Sequence, residues 1–435
     1  MSAVVDFPVR PETRPYLDAF NGVAGEPEWL ARFRQQGLSR FAELGFPSRR
    51  SENWRYLDLR PLADRPLLPK AIKPPVHGQL IGIHRYFEVE SARTRLVLAD
   101  GRSVPELSKS DLVPGVWLGS MADAIKMRPE LVQQMLAGSD GNSVTALNAG
   151  FFADGFVLYV EAGTRLDGPI EIQHLAISDG SLHTRSLVIL GEGSSAAIIE
   201  NYAGIGRYWR NDFVELRLGA SSTLRRTVVV EEGDDSIHLG EVAATLGTKA
   251  KLDAFALLLG GGTMRHEANV TIAGDHATCN IDGAFVVSGR EEANIVTTID
   301  HAAIGGTTSE LIKGVAAGRG HGAFQGKIIV REGAQQTDAR QTSRNLILGR
   351  RAVIDTKPEL EILADDVKCA HGASVGELDE AALFYLRARG IPTEEARRLL
   401  IEGFLREPIE GIVDPAIREH LLRRLSLRLA RLEDQ

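Results

Sequence analysis

Four short turns recur along the middle of this chain at a nearly constant interval, and that spacing limits the folds open to it. Gly191 opens GEGSSA, Gly219 opens GASSTL, Gly247 opens GTKAKL and Gly274 opens GDHATC, at steps of 28, 28 and 27 residues. Around them lie short apolar runs bounded by Gly, Asp, Asn or Ser: FVLYV, SLVIL, AAIIEN, FVELRL, RTVVVEE, AFALLL and NVTIAG. Runs of this kind read as strands. A fixed period of roughly 20–50 residues marks a repeat architecture, in which each unit covers its neighbour's apolar face. Strands with no helix inside the repeat favour a β-solenoid, whereas a β-sandwich or jelly roll turns roughly every 8–12 residues without a constant longer period. Past Asp300 the period fades. Even so, GAFQGKIIVREGAQQTDARQTSRNLILGRRAVIDTKPELEIL still alternates apolar and polar residues, which carries the sheet to about residue 367.

Composition narrows the setting. The 435 residues are 43% hydrophobic and 25% charged, the balance of a folded chain rather than a disordered one. Length predicts two or three domains at roughly 100–200 residues each. No apolar run approaches the roughly 20 residues of a membrane span. A net charge of −8 lacks the basic footprint that draws a protein to nucleic acid or anionic lipid, so neither nucleic acid nor membrane is expected as a partner. Two cysteines, Cys279 and Cys369, cannot build a disulfide framework, and MSAVVDFPVRPETRP has no apolar export region, which predicts a cytoplasmic protein.

Helices are predicted on either side of the solenoid. PEWLARFRQQGLSRFAELGFP brings Leu30, Phe33, Gly37, Phe41 and Leu44 to one helical face, although Gly37 weakens it. A Pro-rich linker, the strand-like TRLVLADG and the helical MADAIKMRPELVQQMLAG come next. After the solenoid, DEAALFYLRARG stops at Gly390, TEEARRLLIEGFLREPI starts from Thr393 as N-cap, and a last helix starts from Asp414 as N-cap with Pro415 at its first position. In that helix Leu421, Leu425, Leu429 and Leu432 share a face, with Arg424, Arg428 and Arg431 expected in solvent. The expected division is an N-terminal mixed region over 1–145, a solenoid core over 146–371 and a helical domain over 372–435.

Several motifs have two readings. SLVILGEGSSA resembles a dinucleotide fingerprint, with Asp212 about 20 residues on, but the adjoining AAIIENYAGIG is β-branched and broken by glycines where a helix is required. GHGAFQGKI has His321 and Ile328 where a phosphate-binding loop needs Gly and Ser or Thr. The 11 histidines form no zinc signature. Cys369 and His371 in DDVKCAHGASVG sit two apart, so on a strand their side chains share a face, a donor pair suited to iron, zinc or sulfur handling. The alternative is a buried cysteine beside a hydrogen-bonded histidine. AQQTDARQTSRN, with Gln335, Gln336, Thr337, Asp338, Gln341 and Asn345, either lines the cleft of a polysaccharide-acting β-helix enzyme or caps solenoid turns. SENWRYLDL, with Trp54 and Tyr56, is either a docking patch or packing.

LNAGFFADGFVLYV, FQGKIIVREGAQQTDARQTSRNLIL and DTKPELEILADDVKCAHGASVGELDEAALFYLRARGIPTEEARRLLIEGF together resemble the SufB/SufD family of iron–sulfur cluster assembly proteins. The likeness is strong over about 145–410, and SENWRY together with the modest length is most like the SufD branch. The resemblance implies a right-handed parallel β-helix between helical regions. It also implies a non-enzymatic scaffold that pairs with a SufB-type chain and binds a SufC-type ABC ATPase through its C-terminal helices, with Leu383, Phe384, Leu399, Leu400 and Phe404 as docking candidates; alone, the chain is expected to pair with a second copy through the exposed edge of the last strands before Cys369. A transient iron–sulfur cluster shared with the SufB-type chain would be built at their interface, with a flavin in the complex as an option and no tightly bound cofactor on this chain. His371 falls where the family places a histidine opposite a SufB cysteine, Cys369 is its neighbour, and Ala370 stands where Ser is common. A polysaccharide-acting enzyme and a purely structural interaction module are the alternatives.

Overall fold

The computed structural model describes residues 10–23, 25–69, 77–135 and 142–433. Two long sheets dominate it. A ten-stranded sheet runs from Arg102–Ser103 and Thr94–Ala99 through Ile170–Ala176 to Lys368–Gly376, and a nine-stranded sheet runs from Val116–Ser120 through Phe156–Val160 to Val353–Ile362. Beyond the first strands, each strand skips its neighbour in sequence and pairs in parallel with the strand one coil later. This is the β-solenoid that the spacing predicts, mainly β and flanked by helices. The periodic glycines form one corner of it. The Gly219 N–H donates to Leu190 O at 2.8 Å and the Gly247 N–H to Leu218 O at 2.8 Å. A Cβ on Gly274 would stand 2.3 Å from the Gly247 carbonyl carbon, so the stacked backbones leave no room for a side chain.

Strand residues alternate between the lumen and the outer faces. Leu190, Leu218, Leu246 and Ile272 stand in register through successive coils of the nine-stranded sheet, all inside the lumen and buried. Each such side chain contributes about 1.5–3 kcal/mol through burial, and the stack explains why each coil requires its neighbour. The turn after SLVIL leads into strand Ser195–Gly204, with no helix to hold a pyrophosphate, and HGAFQGKI lies within strand His321–Val330.

The outer faces carry the helices. Helix Glu28–Leu44 crosses helix Ser143–Phe151 over the nine-stranded sheet, where a Cβ on Gly37 would come within 2.6 Å of Ala146 O. The glycine expected to weaken the helix is thus what lets the two backbones approach. Trp54 is buried under the Arg265 guanidinium, 4.1 Å from the ring centroid, and Glu52 pairs with Lys357 at 2.6 Å, so SENWR packs against the solenoid. On the ten-stranded sheet, Ile401, Leu405, Leu421, Leu425 and Leu429 of helices Thr393–Glu410 and Pro415–Glu433 pack on Ile199, Val229, Leu257 and Val286.

Two details of these helices depart from expectation. Thr393 is the first helical residue, and Pro392 stands at the cap with no side-chain bond. Arg424 and Arg428 are not solvated: they are 1% and 7% exposed, with Arg424 over the Tyr86 ring at 3.7 Å and bonded to Glu231, and Arg428 bonded to Glu291. The last helix contacts two layers, the sheet through its leucines and helix His77–Phe87 through Arg424, and a one-face helical pattern cannot reveal the second contact. Only Arg431 of the three remains exposed. The Asp414 cap does form: its carboxylate accepts the Ala416 and Ile417 N–H groups at 2.9 and 3.1 Å. Asp414→Ala is expected to cost about 1 kcal/mol in denaturant unfolding.

Candidate functional site

Every coil of the solenoid is covered by the next until the last. Strands Val353–Ile362 and Lys368–Gly376 each end their sheet, and among the described residues no strand lies beyond them. Most of their residues are exposed or half-buried, and Val353, Ile362, Leu363 and Val375 are exposed apolar side chains at this end. The terminal edges therefore present unpaired N–H and C=O groups beside apolar surface, a combination that invites another strand.

Cys369 and His371 lie on this last coil. Ala339 pairs with Cys369 and Gln341 with His371. Ala339 and Gln341 are buried in the lumen, so the two candidate donors share the lumen face, as their spacing predicts, and stand at its open mouth. His371 is exposed and Cys369 half-buried. Burial pushes the Cys369 thiol above its ordinary pKa, nearby Asp338 adds to this, and the Ala339 backbone N–H opposes it. A thiol must lose its proton to ligate a metal, so this burial works against Cys369 as a donor. Among the described residues no group of three or more His, Cys, Asp or Glu side chains could hold a metal ion. The open mouth offers half a site.

One rung inward from His371 comes Gln341, and one rung further Glu310. Gln341 Nε2 donates to Glu310 Oε2 at 2.6 Å. Burial raises the Glu310 carboxyl from 4.5 to about 7, against the opposing hydrogen bonds from Gln341 and Thr297. The uncharged form is the better tolerated one, so the stability Glu310 contributes is fully present below pH about 4.5 and is lost as pH rises through about 7. Glu310→Gln, which cannot ionise, should therefore gain on the wild type across that window in denaturant melts at stepped pH. Deeper still, Arg226 bonds Glu200 and Tyr202 donates to Asp212, each at 2.6 Å and all buried. Glu310 and this inner group escape a reading of the sequence, although Glu200 and Tyr202 sit two apart on a strand, as inward polar residues must.

The polar run divides by position. The Thr337 hydroxyl donates to Ala334 O and the Gln335 amide to Glu332 O, as turn caps, whereas Gln341 and Asn345 face inward. On the C-terminal helices Phe384 is 72% exposed and Leu399 45%, Leu400 and Phe404 are half-buried, and Leu383 at 5% packs inward. Lys313 Nζ sits 4.2 Å from the Phe404 ring centroid. No described helix is long and apolar enough to cross a membrane.

A two-sheet β-solenoid with helices on its outer faces and an uncapped last coil defines the class. A family model described as SUF system FeS cluster assembly, SufBD core domain, matches residues 174–404, and one for the SufBD protein N-terminal region matches 23–172. The chain is 30% identical to the iron–sulfur cluster assembly protein SufD of Escherichia coli over 408 residues, 91% of this chain and 92% of that protein. It is 29% identical to an iron–sulfur cluster assembly SufBD family protein of Synechocystis, covering 93% and 92% of the two chains, and 27% identical to SufD of Bacillus subtilis, covering 91% and 94%. The chain belongs to the SufBD family of SUF-system iron–sulfur cluster assembly proteins.

Proposed function

We propose that this chain is a SufD-type scaffold subunit that joins a SufB-type chain through its uncapped last coil and offers His371 to the iron–sulfur cluster formed between them. The observation that carries this is the placement of His371 and Cys369 on the lumen side of the one coil that nothing covers among the described residues. Main-chain pairing across the free edges of Val353–Ile362 and Lys368–Gly376 joins the two solenoids. Imidazole ligates through the ring nitrogen that carries no proton. The cluster is the cargo of the complex, and no catalytic step or resident cofactor is assigned to this chain. In the division into 1–145, 146–371 and 372–435, the last part docks a SufC-type ABC ATPase through exposed Phe384 and Leu399. The complex is placed in the cytoplasm.

Edge pairing has a consequence for the isolated chain. Without its partner it is expected to form a homodimer through the same coil, and addition of a SufB-type chain should convert this to a heterodimer, as read by light scattering at high concentration. A strictly monomeric species that also fails to bind the SufB-type chain contradicts the reading.

A further inference from the structure

We infer that Gln341 fixes the ring of His371: its amide oxygen accepts the ring N–H that faces the lumen and leaves the other ring nitrogen free to ligate outward. This rests on His371 as the residue offered to the cluster. Gln341 is 1% exposed and pairs in register with His371. Its nitrogen is committed to Glu310 at 2.6 Å, on the rung to the other side. With its nitrogen donating to Glu310 Oε2, the amide turns its oxygen away, toward the rung of His371. That oxygen is buried and has no hydrogen-bond partner. A buried acceptor left without a donor is unfavourable, and neighbouring rungs lie roughly 4.8 Å apart, within the reach of an exposed imidazole that swings inward.

The opposite wall makes room for this arrangement. A Cβ on Gly326 would stand 2.1 Å from Gln341 Nε2, so a residue with a side chain there would push the amide off the lumen axis. Histidines that ligate metals generally donate their second N–H to an acceptor, which selects the tautomer and holds the ring plane. A neutral amide does this without adding charge beside the ligand. Gln341 is thus a positioning residue, held in turn by Glu310.

The test uses the full-length chain with 15N-labelled histidine, the ring signals of His371 being assigned by their loss in His371→Ala. In the wild type His371 is expected as one tautomer. Gln341→Leu should move it to the mixture of a free imidazole, and Gln341→Glu, which keeps an acceptor oxygen, should retain the single form. Glu310→Gln removes the group that sets the direction of the amide and should loosen the tautomer even though Gln341 is intact, which keeps the test open where Gln341→Leu fails to fold. Ring signals unchanged in Gln341→Leu, or in Glu310→Gln where that variant stands in for it, overturn the inference. In the reconstituted complex, Gln341→Leu should slow cluster assembly about 10–100-fold per folded chain, a loss beyond what the unpaired Glu310 carboxyl costs in stability. An assembly rate equal to that of the wild type also overturns it. Full assembly with His371→Ala defeats the reading of His371 as a ligand, and the ring signals still decide whether Gln341 holds that ring.

Discussion

His371→Ala is expected to lower cluster assembly by the complete complex at least tenfold, and roughly a hundredfold at the upper end, while the chain stays folded, giving up at most the roughly 1–3 kcal/mol of the Gln341 oxygen left without its donor, and still binds both partners. The separation of the two readouts comes from placement. His371 is an exposed side chain on the last coil, so its removal opens no cavity in the core. A histidine that only supports the fold behaves differently: activity then falls only in proportion to folded protein. Cys369→Ala is the comparison, with a smaller expected loss, since burial pushes this thiol above its ordinary pKa and disfavours the thiolate that a metal needs. Full assembly by His371→Ala would leave this chain as a structural partner only. Melts, pull-down of both partners and iron–sulfur reconstitution on the same preparations separate these outcomes.

Phe384→Asp combined with Leu399→Asp is expected to weaken ATPase binding by roughly 30-fold or more, about 2 kcal/mol, with the melting temperature unchanged. Both side chains are exposed large apolar groups on the C-terminal helices. Leu383, one residue away from Phe384, is buried, and Leu383→Asp should instead destabilise the fold. Deleting everything after residue 376 would be a poor substitute, because it uncovers Val229, Leu257 and Val286 on the ten-stranded sheet. Undiminished co-purification of a SufC-type ATPase with the double variant would remove the docking role from these helices.

The solenoid was legible because its cause is periodic. Glycines at the same corner of successive coils must recur at the coil length, since each packs backbone against backbone, and 28, 28 and 27 is that length. The shared face of Cys369 and His371 was legible for the same kind of reason, the two-residue repeat of a strand. Contacts made across the chain left no such trace. Arg424 reads as a solvated helix residue until Tyr86 and Glu231, far away in sequence, close over it. Gly37 reads as a weak point until the helix it meets is known. Glu310 looks like an ordinary polar strand residue, and only the register that sets it behind Gln341 and His371 ties it to the site.

The claim that the uncapped coil is the meeting surface is tested most directly by amide hydrogen exchange, chain alone against chain with a saturating SufB-type partner. Strands Val353–Ile362 and Lys368–Gly376 each have one neighbour in their sheet among the described residues, so their outer-edge amides gain bonds only when a second chain pairs with them. The account predicts that protection on complex formation is concentrated in these two strands, His371 included, and that the glycine corner at Gly219 and Gly247 is unchanged. Complex formation with exchange in 353–376 unaltered, and protection appearing elsewhere on the chain, would contradict it.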